Sequence, residues 1–118
     1  MKKIVIAAQP GLFTATLADM LRADFDVFSC TSGSMLPVLL DAVQPDGVII
    51  EYSLPEFNCP QVLRSAEYLP PAILVIATFL SADIIQALED AGAGCVMRIP
   101  CSEAAVLSRI SEMITDQT

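Results

Sequence analysis

Short apolar runs alternate with helically spaced apolar residues from one end of the chain to the other. "KIVIA" (Lys3 to Ala7) is a β-branched run that predicts a first strand. After Gln9-Pro10-Gly11, Phe13, Leu17, Met20 and Leu21 recur at helical spacing. "DVFSC" (Asp26 to Cys30) predicts a second strand, and Met35, Val38, Leu39 and Ala42 predict the inner face of a second helix. Pro37 fits that helix only near its first turn, where a missing N–H costs nothing. "GVII" (Gly47 to Ile50) and "AILVIA" (Ala72 to Ala77) are apolar at every position, so these third and fourth strands expect cover on both faces. Val62, Leu63 and Ala66 mark a short third helix starting near Pro60. Ile84, Ile85, Leu88 and Ala91 mark a fourth, stopped by Gly92. "CVM" (Cys95 to Met97) is a fifth strand, followed by a helix carrying Val106, Ile110 and Met113 with Ser102 as its N-cap.

Five successive β-α units in 118 residues predict one α/β domain, a doubly wound parallel sheet with helices on both faces. The domain is expected over 1–114, with the polar "TDQT", 115–118, as the start of a linker. Folds of this class bind ligands at the carboxyl ends of their strands. Those ends are the loops after Ala7, Cys30, Glu51, Ala77 and Met97. Glu51 is the one acid that stands where an apolar strand stops.

Composition narrows the chemistry. The net charge of −8, with six basic residues, argues against this domain gripping a nucleic-acid backbone. There is no histidine, which removes imidazole acid-base chemistry and imidazole metal ligands. Mean hydropathy is high, at +0.62, yet no run reaches the roughly 18 apolar residues of a membrane helix. A cytoplasmic protein with no membrane contact is expected. Cys30, Cys59, Cys95 and Cys101 form no C-x-x-C pair, and reduced, mostly buried thiols are expected of them.

"KKIVIAAQP", "PDGVIIEYSLPEFN", "AILVIAT" and "AGAGCVMRIP", at their spacing, resemble a response-regulator receiver domain over about residues 2 to 114. The resemblance implies a flavodoxin-like sheet in the order 2-1-3-4-5. It also implies a site in which two acids after strand one and an aspartate after strand three hold Mg²⁺. That aspartate takes a phosphoryl group, which a hydroxyl after strand four and a lysine after strand five grip.

This chain departs at each of those positions. The two acids fall on Ala7 and Ala8, and the acceptor falls on Glu51. The hydroxyl position falls on Ala77, with Thr78 one residue late. The lysine falls on Ile99, and the strand-five aromatic on Val96. Mg²⁺ demands several hard oxygen ligands, and a transferring phosphoryl group demands cations. The sequence therefore predicts a degenerate receiver, not an enzyme, with no cofactor and no metal. Glu51 reads in two ways: as a built-in mimic of a phosphorylated aspartate, or as a solvated acid at a strand end.

The expected role is a phosphorylation-independent interaction module of a transcriptional regulator. It would form a homodimer or dock on a fused output domain, through the face of the fourth helix, fifth strand and fifth helix. Ile84, Ile85, Val96 and Leu107 would carry that contact. Ile84 and Ile85 are adjacent, and Leu107 and Ile114 widen the apolar stripe of the fifth helix. The alternatives are a stand-alone degenerate receiver and a redox switch using Cys101 or Cys59, both in loops near the expected site or at a helix start. The opening residues also resemble sugar-phosphotransferase B subunits, whose reactive cysteine is missing here at Ala7, Ala8 and Gln9. A cobalamin-binding fold would need a histidine that the chain lacks.

Overall fold

Apolar side chains on both faces of the central strands force cover from both sides, and the chain supplies it. A computed structural model describes residues 1–53, 59–78 and 80–115, without the side chains of Cys59, Pro60 and Arg64. The order is β1 (Lys2–Ala7), α1 (Leu12–Leu21), β2 (Phe25–Cys30), α2 (Leu36–Val43), β3 (Gly47–Glu51), α3 (Cys59–Ser65), β4 (Ala72–Ala77), α4 (Ala82–Asp90), β5 (Cys95–Arg98) and α5 (Glu103–Thr115). All strand pairs are parallel, in the order β2-β1-β3-β4-β5, as the sequence predicts.

Strand residues alternate between two cores. Val5, Val48, Ile50 and Val75 face Leu36, Leu40, Leu63 and Leu88 of α2, α3 and α4. Ile4, Ile6, Ile49, Leu74 and Ile76 face Leu17, Leu21, Val106, Ile110 and Ile114 of α1 and α5. Each such fully buried aliphatic side chain contributes about 1.5–3 kcal/mol.

Helix ends follow their local chemistry. Ser102 caps α5: its hydroxyl accepts from the Ala105 N–H at 3.0 Å. Ser81 does the same for α4, accepting from Ile84 N–H. Past the carboxyl end of α4, Gly92 takes φ +114, which L side chains disfavour. The Gly92 N–H donates to the Glu89 carbonyl and the Ala93 N–H to the Leu88 carbonyl, the paired closure of a Schellman motif.

Two sequence expectations are corrected. The inner face of α2 is Leu36 and Leu40, with Leu39 and Val43 partly packed. Met35 and Val38 point outward instead, 55% and 71% exposed, and Ala42 is exposed too. On α5 the third core residue is Ile114, with Met113 half-buried beside it. The apolar stripe there is wide because it is deep core. β2 and β5 are the sheet edges, and Phe28 on β2 is 38% exposed.

Candidate functional site

The carboxyl ends of β1 and β3 lie side by side, because Ala7 pairs with Ile50. One residue further on, Glu51 leaves the sheet half-buried, opposite Ile76 of β4. Its carboxylate Oε1 accepts the Gln9 backbone N–H at 3.0 Å. This ties the loop after β1 to the end of β3. At the opposite end of the same strand pair, the Asp46 carboxylate accepts the Lys3 N–H at 2.8 Å. Carboxylates thus fasten β1 to β3 at both ends, and the partner each time is a backbone amide. That role leaves no side-chain signature at Gln9, so the sequence could not show it.

Glu51 lines a cleft of about 330 Å³ with Pro10, Leu12, Phe13, Ile99 and Cys101. Glu51 is the only charged residue in this lining, and no lysine or arginine joins it among the described residues. Ile99 is held there by its N–H, which donates to the Ala77 carbonyl at 2.8 Å. Its side chain thus stands in the cleft at the position where the resemblance implies a lysine. Leu12, at the rim, is 84% exposed.

The other predicted positions separate. Ala7 and Ala8 are buried in the sheet's two cores and offer no ligand atoms beyond backbone. Ala77 is buried as well. Thr78 is exposed, but it lines a different hollow, with Tyr52, Ser53 and Ile84 on the α4 side. It is absent from the lining of the Glu51 cleft. A mimic would need Glu51 to pull on the loops after β4 and β5. Its one hydrogen bond among the described residues runs to the loop after β1 instead.

Mg²⁺, which the fold family implies, does not fit this donor set. Among the described residues no three His, Cys, Asp or Glu side chains gather where they could share a metal ion. One carboxylate, already engaged by an amide, falls short of the near-octahedral oxygen shell the ion demands.

The thiols also sort by geometry. Cys101 lines the cleft half-buried, and burial, then the nearby Glu103 charge, push its thiol above the ordinary cysteine value. Burial pushes the Cys30 thiol up as well. A sensor thiol needs the opposite shift. The Cys59 thiol lies outside the described residues. Cys95, half-buried at the start of β5, accepts the Arg109 Nε–H on its sulfur at 3.3 Å. That Arg109 also pairs with Glu112, at 3.2 Å on the exposed side of α5.

Of the predicted docking residues, Ile84 and Val96 pack against one core and Leu107 against the other. Ile85 is half-buried beside Glu89 and Val96. None stands out as an exposed large hydrophobic residue.

No family model matches the chain, and no curated protein matches it. Solved structures do. The CheY-like response-regulator receiver domain protein of Methanospirillum hungatei JF-1 superposes with a TM-score of 0.87 at 17% identity, over 99% of this chain and 96% of that one. A signal receiver domain of a response regulator from Bermanella marisrubri gives 0.79 at 22% identity, over 95% and 97% of the two chains. A LuxR-family DNA-binding response regulator from Staphylococcus aureus gives 0.80 at 13% identity, over 97% and 99%. At these identities the likeness speaks to architecture, and the chain has the flavodoxin-like fold of response-regulator receiver domains.

Proposed function

We propose that this chain is a receiver-type module that regulates by contact, without taking a phosphoryl group. The observation that carries the reading is the state of Glu51. Among the described residues it is the lone charge in its cleft, bound to a backbone amide, with Ile99 beside it and no cation or second acid within the lining. Charge building on a transferring phosphoryl group would meet apolar surface there. The domain, 1–114, would act inside signal transduction as a cytoplasmic partner of an output domain or of a second copy. It is not an enzyme in this reading. Transcription control is the process proposed, since one structural neighbour is a LuxR-family DNA-binding regulator. The acidic charge of −8 suits a module that leaves DNA contact to another domain.

The test is direct. The chain is incubated with acetyl phosphate and Mg²⁺ and its intact mass is measured. No added mass is expected. A stoichiometric phosphoryl group mapped to Glu51 overturns the reading.

A further inference from the structure

We propose that the Glu51 cleft is a binding site for a small organic cation, an ammonium carried on an apolar body about the size of a phenyl ring. This rests on the reading that Glu51 takes no phosphoryl group.

Elimination leads there. The cleft, about 330 Å³, is walled mostly by apolar Leu12, Phe13, Ile76, Ile99 and Pro100, with Gln9, Thr14 and Cys101 as its uncharged polar members, so an apolar body fits most of it. Leu12 at its rim is 84% exposed, apolar surface that a ligand would cover. Glu51 contributes the one full charge. Its Oε1 is taken by the Gln9 N–H, and no hydrogen bond to Oε2 exists among the described residues. An anion would meet that carboxylate with no lysine or arginine to offset it. Among the described residues, a divalent metal would find no second carboxylate in the lining. A neutral hydrocarbon would strip water from the carboxylate and return no partner. A monovalent ammonium satisfies the free oxygen and lets the apolar body meet the walls. The amino end of α1 also borders the cleft, through Leu12, Phe13 and Thr14. Its partial positive charge, about half a unit, is smaller than the carboxylate's and leaves the site net negative.

Nuclear magnetic resonance titration of the 118-residue chain tests this with three matched probes: 2-phenylethylammonium, 2-phenylethanol and 3-phenylpropanoate. Saturable shifts at the Gln9, Leu12 and Ile99 amides are expected from the ammonium, with the other two at least about tenfold weaker. Glu51→Gln should weaken the ammonium by a similar factor. Ile99→Lys, which places a tethered ammonium beside Glu51, should do so too and covers the case in which Glu51→Gln fails to fold. Equal binding of the propanoate, undiminished binding in a folded variant, or no saturable shift overturns the inference. So does a lysine-containing peptide that shifts these amides where the free ammonium does not, which would make the cleft a protein-docking site. The acetyl phosphate experiment stays separate. A phosphoryl group on Glu51 refutes the proposed function, whereas absent ammonium binding without phosphorylation refutes this inference alone.

Discussion

Gly47 opens β3 under α5, and a methyl group added there would press on the tips of two isoleucines. A Cβ at Gly47 would lie 3.0 Å from Ile114 Cδ1, and 3.3 Å from both Ile110 Cδ1 and Ile114 Cγ1. The backbone of Gly47 has no positive φ, so Gly47→Ala suffers no conformational strain and gains about 0.4–1 kcal/mol from a less flexible unfolded chain. Overpacking against the two isoleucines costs about 1–3 kcal/mol, so the substitution should destabilise by about 1 kcal/mol net, within a span of about 0–2.6 kcal/mol. Ile114→Val removes the closest atom and alone costs about 0.5–1.5 kcal/mol for the lost methyl. In the double variant the alanine methyl moves into the space that Cδ1 left. The pair should therefore lose less than the two single changes added, by about 1 kcal/mol. Relief is partial because Ile110 Cδ1 stays in place. Urea unfolding of the four proteins measures the coupling. Additivity to within about 0.3–0.5 kcal/mol, the behaviour of independent sites, would refute the packing argument.

Three further outcomes are expected. Gly92→Ala should destabilise by about 1–2 kcal/mol through φ +114 alone, since the new Cβ meets Ile73 Cδ1 at an ordinary 3.6 Å; a thermal midpoint unchanged from the parent would contradict this. Cys30 and Cys101 have thiols pushed up by burial, so at pH 8 less thiolate forms than in a free cysteine. Their alkylation by iodoacetamide should be slow in the native chain and fast in urea, and mass mapping that finds either reacting like free cysteine in the native chain would argue against the burial. If copies associate, association measured by sedimentation should weaken on making Met35 and Val38 polar and stay unmoved on changing Ile85 and Leu107, because the first pair is exposed and the second half-buried; the opposite response would restore the α4–β5–α5 face.

The sheet was legible because β4 throughout and β3 from Gly47 to Ile50 are apolar at every position, a pattern that two-sided burial explains. Gly92 and Ser102 were legible for the same kind of reason: each does one local thing that few residues do. The face of α2 was not. "LPVLLDAV" is apolar nearly all round, so spacing alone cannot choose between Leu36–Leu40 and Met35–Val38; the position of the helix over the sheet decides. Glu51 was placed correctly at the strand end. Its binding to Gln9 was beyond sequence reasoning because a backbone N–H is the same at every residue. Thr78 lies one residue late by counting, and past the end of β4 the strand alternation no longer directs its side chain, which lines the hollow with Tyr52, Ser53 and Ile84 instead of the Glu51 cleft.

The outward apolar residues of α2 and the open β2 edge also set how the protein behaves as a colloid. Met35 and Val38 of α2 and Phe28 of β2 leave apolar surface exposed, and β2 is an edge strand with unpaired backbone groups on its outer side. With a net charge of −8, copies repel one another while that charge reaches across the gap between them. The reach is about 10 Å at 0.1 M salt and about 3 Å at 1 M. Dilute buffer therefore keeps the edge to itself, and concentrated salt brings it within touching range of another copy. For this molecule ionic strength sets how closely copies in a concentrated solution can approach.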